Sequence, residues 1–264
     1  MDNLSFLREA IEDKSKILLN NAWYFAIFML VTILSVLIYY RQTQDEITPT
    51  IVLSLLWVLF WKNSTQKGKI FLIVASVFGY VHELLGVQYG YFTYLGGAIG
   101  GSPIWLIPGY GTIFWSSHNL WKVFEKSYSK REWFHYVNHF IVASFALLFA
   151  IDYIIFDLAL DVVAILIKFS LALLLFNIFD GWRVAYFVGF FTVLTEFTGE
   201  TLGTWAHPDF SLLSLMAGYI FLLWICLFIN DYINGQKIWG KREPVAAAVL
   251  TIFYVFSLLG MIEV

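Results

Sequence analysis

Two glutamates inside long apolar runs, Glu83 and Glu196, are the residues of this chain best placed to do chemistry. Each opens the same pattern. Glu83 is followed by Gly86, Gly90, Phe92 and Tyr94, and Glu196 by Gly199, Gly203, Trp205 and His207, at an offset of 113 residues. Both glutamates fall roughly 10 Å below one end of their runs at the helical rise per residue. A carboxylate in hydrocarbon is costly, so such residues usually face a bundle interior and mark a site. A neutral acid held there is a proton donor. Glu200, one turn beyond Glu196 on the same face, is a second acid or an interfacial residue. The packing alternative is that Gly86/Gly90 and Gly199/Gly203 are GxxxG pairs that bring helices together.

Other candidates surround the pair. Lys168 is the basic residue deepest in an apolar run, about 12 Å from the same surface as the glutamates, and an ion pair with Glu196 would keep that acid charged. His135 and His139 are spaced i, i+4, and with His118 they form a possible three-histidine metal site. Interfacial histidines bonded to loops explain them better, so no metal ligands are assigned. His82 adjoins Glu83, and His207 ends the second pattern. Aromatic residues follow both glutamates: Phe92, Tyr94 and Trp105 after the first, Trp205 after the second. Such rings are common at membrane interfaces. Beside an acid, their faces can also hold a carbocation by cation–π attraction.

The elements that must position these residues are membrane spans. The chain has 264 residues, of which 60% are hydrophobic and 13% charged, against about 25% charged in a soluble domain. Mean hydropathy is +0.74. A net charge of –3 leaves no basic surplus for nucleic acid. The single cysteine, Cys226, reads as a small core hydrophobe. Apolar runs at 21–40, 48–61, 69–88, 103–123, 134–153, 160–178, 183–204, 211–230 and 244–262 predict an all-α polytopic bundle of nine spans. Residues 1–20 carry too many charges for a signal peptide. Leu4, Leu7, Ile11 and Leu18 recur at helical spacing, as in an interfacial amphipathic helix. Of the 16 basic residues, 14 fall on the side holding the N-terminus, which the positive-inside rule makes cytoplasmic. The expected organisation is an interfacial helix (1–20), two parallel four-helix repeats (21–124 and 125–232) and a C-terminal span (233–264).

An acid, Gly at +7, aromatics at +9 and +11 and a proline near the next span resemble the carotenoid-modifying membrane proteins. These are the heterodimeric lycopene cyclases and the bacterioruberin-type carotenoid hydratases. Glu83, Gly90, Phe92, Tyr94 and Pro103 carry the resemblance, and Glu196, Gly203 and Trp205 repeat part of it. The cyclases continue to a Pro-x-Glu-Glu element, where this chain has Trp105 and Leu106, so the hydratases are closer. The resemblance implies protonation of a terminal C=C of a lipophilic isoprenoid, with water quenching the tertiary cation and no cofactor needed. Glu83 and Glu196 would be acid and base, and Phe92, Tyr94 and Trp205 would supply π faces. Two other classes fit the same residues. One is a non-enzymatic transporter or lipid-binding protein with paired acids, and the other is a histidine-bound metal enzyme.

Overall fold

The computed structural model describes residues 22–128, 136–155, 162–179, 181–208 and 211–235, with 248 and 252. Eight helices lie within them: α1 (Ala22–Thr43), α2 (Ile47–Lys62), α3 (Gln66–Gln88), α4 (Leu106–Tyr128), α5 (Tyr136–Ile155), α6 (Val162–Phe179), α7 (Trp182–Leu202) and α8 (Leu212–Ile233). The described residues are all-α apart from a two-strand ribbon of β1 (Thr93–Tyr94) and β2 (Trp205–Ala206). Eight of the nine apolar runs are thus helices. The amphipathic segment at 1–20 and, but for 248 and 252, the ninth run at 244–262 lie outside the described residues.

Four of the helices, α1, α3, α5 and α8, are long and apolar enough to cross a membrane. The other four depart from the nine-span expectation for two reasons. Helices α2 and α6 are apolar but short. Helices α4 and α7 are long but carry polar residues that the bundle buries: Thr112, Ser116, Ser117 and His118 on α4, Thr192 and Glu196 on α7. Several return their hydroxyls to their own helix, as Ser117 does to the Ile113 carbonyl at 2.6 Å and Thr192 to that of Val188 at 2.8 Å. Meanwhile Ile27, Leu55, Val77, Val142 and Leu147 point outward from the bundle. Outward apolar faces on successive helices are what lipid solvates and water does not.

Helix ends that the chain alternates also meet in space. Lys67 pairs with Asp231 at 2.5 Å, joining the start of α3 to the end of α8, and Arg183 Nε donates to Asn138 at 3.1 Å, joining the starts of α7 and α5. At the other ends, Arg41 Nε donates to the Leu202 carbonyl at 2.8 Å, and the Ile104 N–H to Glu46 at 2.9 Å. Helix α4 packs on α1, α2, α3 and α7, while α8 packs on α5, α6, α7 and α3.

Candidate active site

Both glutamates are buried near the ends of α3 and α7, Glu83 at 2% exposure and Glu196 at 8%. Each takes a phenol from the helix that follows it. Glu83 is hydrogen-bonded to Tyr110 of α4, and Glu196 to Tyr219 of α8 at 2.5 Å. The two phenols approach each other at 3.2 Å, so the carboxyls are the ends of one chain of contacts. Tyr94 of β1 engages the other oxygen of Glu83 at 2.5 Å. Tyr110 and Tyr219, the two links in this chain, were not among the sequence candidates.

The glycines after each acid do not pair helices in GxxxG fashion. Gly86 and Gly199 lie under aromatic rings of the segment that follows, since a Cβ would overlap Phe92 at the first and Trp205 at the second. Gly90 and Gly203 stop the helices with φ of +75° and +67°, a region open to glycine. The reversals close alike: the Tyr91 N–H donates to the Gly86 carbonyl at 2.9 Å, and Thr204 to Gly199 at 2.8 Å. The returning segments then pair as β1 and β2, with Thr93 opposite Ala206 and Tyr94 opposite Trp205. The turns set the two rings over Gly86 and Gly199 and bring Tyr94 to Glu83.

An apolar cleft opens beside the pair. Met29, Ile33 and Leu37 of α1 form one wall, and Tyr94, Trp105, Tyr110, Glu196 and Trp205 close its polar end. Its free volume of about 60 Å³ holds a few water-sized groups. Glu196 lines the cleft. Glu83 stands behind Tyr94 and Tyr110 and does not, so the two acids are inequivalent. Trp105 and Trp205 have ring centroids 6.4 Å apart. Thr112 and Trp105, also in the lining, have buried polar atoms without a hydrogen-bond partner among the described residues.

The remaining candidates scatter around this core. Phe92 is buried against Tyr94 and His207, outside the cleft lining. Glu200 accepts from the His207 backbone N–H at 3.2 Å and meets its ring Nδ1 at 2.9 Å, forming a separate pair one turn from Glu196. His82 has its Nδ1 3.9 Å from Glu83 and is half exposed. Lys168 is half-buried on α6 and is not part of the glutamate–tyrosine chain. His118 packs on Phe71 and His139 on Tyr136, while His135 lies outside the described residues. Comparison with protein-family models, curated proteins and solved structures found no match.

Proposed function

We propose that the protein is an integral membrane enzyme that adds water across a terminal C=C of an isoprenoid or carotenoid, with Glu196 as the general acid. The observation that carries this reading is a buried carboxyl at the end of an apolar cleft, flanked by two tryptophans and two tyrosines. The Glu196 proton forms the new C–H bond as the π pair is consumed. The tertiary cation faces the Trp105 and Trp205 rings. Water forms the C–O bond and sheds a proton to the carboxylate. The net change is addition of one water, with no oxidation. Glu83 fixes Tyr94 and Tyr110, two of the walls. The free volume suits the end of an isoprenoid chain, whose remainder lies outside in lipid.

The chain crosses the cell membrane with its N-terminus cytoplasmic, supported by basic-residue asymmetry and by alternating helix ends that meet in two groups. It is built from two parallel repeats of four helices. Support comes from the common glycine stops, the paired phenols and the helices on which α4 and α8 pack, which correspond on a shift of four.

The test is an assay of the purified protein in lipid nanodiscs with an acyclic carotenoid bearing terminal isopropylidene groups, run in ¹⁸O-water. The expected product is a tertiary alcohol that carries the label and is missing with Glu196→Gln. An unchanged polyene, with no isoprenoid co-purifying from the native membrane, overturns the reading.

A further inference from the structure

The contacts around the glutamates fix how many protons they hold. Four oxygen–oxygen contacts join five side chains: Tyr94 to Glu83, Glu83 to Tyr110, Tyr110 to Tyr219, and Tyr219 to Glu196. Each contact needs one hydrogen between its oxygens, and a phenol supplies one. Three phenols therefore supply three hydrogens for four contacts. With both glutamates ionised, one contact has no hydrogen and two like charges share a buried network. With both neutral, five hydrogens meet four contacts and one O–H has no acceptor within the network. One proton held between the two carboxyls satisfies all four.

Which carboxyl holds it follows from the donors. Both Glu83 oxygens face phenols, and two charge-assisted bonds suit an anion. His82 Nδ1 stands 3.9 Å from the same carboxyl. Glu196 meets one phenol, and the adjacent Trp205 indole reaches no hydrogen bond of normal geometry. We infer that Glu83 and Glu196 share one proton through the Tyr110–Tyr219 link, resting on Glu196, with Glu83 as its ionised partner. In this order Glu196 donates to Tyr219, Tyr219 to Tyr110, and Tyr110 with Tyr94 to Glu83. Tyr110 and Tyr219 are positioning residues that set the charge state of the acid. In the catalytic use, which rests on the proposed function, Glu196 gives its proton to carbon and Tyr219 turns to the new carboxylate. The proton shed by the attacking water restores the first order, so protons balance over one turnover.

The experiment is infrared difference spectroscopy on the full chain in nanodiscs at neutral pH, with hydrogen–deuterium exchange. The wild type should show the carbonyl stretch of one buried neutral carboxylic acid. Glu196→Gln should lose that band while keeping its helix content, because the amide N–H supplies the same hydrogen to Tyr219. Tyr219→Phe should move the band to higher frequency by removing its acceptor. A wild type without the band overturns the inference, as does a band that survives Glu196→Gln or is unmoved in Tyr219→Phe. No substrate is used, so a failed hydration assay with these spectra intact counts against the proposed function alone.

Discussion

Glycine at 86 and 199 lets an aromatic ring lie against the helix one turn past each acid, and a methyl group at either position would occupy the ring. Replacing Gly199 with alanine should therefore displace Trp205 from the cleft and destabilise the protein by about 1–3 kcal/mol, the usual cost of overpacking. Thermal unfolding in detergent would measure the loss. Unchanged stability would mean that the ring moves freely. Glu196→Gln should lower turnover in the hydration assay by roughly 10²–10⁴-fold, the contribution of a general acid, and leave the melting temperature near that of the wild type. A near-silent Gln variant beside a destabilised Ala variant would make the residue a packing element. The acids were legible in the sequence because charge stands out in an apolar run. Their phenols were not, because the chain has 15 tyrosines and most read as interfacial. The available signal was that Tyr110 and Tyr219 each lie in the apolar run after their glutamate, 27 and 23 residues on.

Helix starts show how carboxylates outside the site hold the bundle's elements. Asp152, near the end of α5, accepts the backbone N–H of Leu212 at 2.7 Å and of Leu213 at 3.0 Å, and the Ser211 hydroxyl at 3.1 Å. It thereby caps α8 from another helix. Asp152→Ala should cost about 1–2 kcal/mol, as loss of a cap does, and chemical unfolding of the purified protein would register it. A change within error would show that Ser211 alone is enough. Asp45 caps α2 from within the loop, accepting from Thr48 Oγ1 at 2.6 Å, the Ile47 N–H at 2.9 Å and the Tyr39 hydroxyl at 3.0 Å. These bonds, that of Thr48 foremost, hold its carboxyl below the ordinary 3.8. A lowered folded value means that its contribution is complete above 3.8 and is lost as pH falls through the folded value. Melting temperature should then fall more steeply in acid for the wild type than for Asp45→Asn. Parallel profiles would remove the role. Ser211 before an apolar run is a readable start signal, but a cap arriving from 59 residues away is not.

For the molecule as a whole, hydropathy identified eight of the helices correctly and misjudged what α4 and α7 do. Both read as two more spans among nine, whereas packing on four neighbours makes them the inner helices that carry Tyr110 and Glu196. The proposed topology puts Thr93 and Lys126 on opposite faces of the membrane. Single cysteines at these positions, introduced after replacing Cys226, should react with an impermeant maleimide in intact cells at 93 and not at 126. Labelling of both would discard the topology.

Each acid finds a phenol within its own helical hairpin, Glu83 with Tyr110 across α3 and α4, Glu196 with Tyr219 across α7 and α8. A nascent chain can seat the first hairpin with its carboxyl already hydrogen-bonded, before the second leaves the ribosome. Neither half must wait in hydrocarbon for a distant partner, where an unmatched carboxyl is costly. On this route the Tyr110–Tyr219 contact and the β1–β2 ribbon, which join the two hairpins, would form only when those hairpins dock. A gene cut between α4 and α5 should therefore yield two fragments that assemble when made together in one membrane.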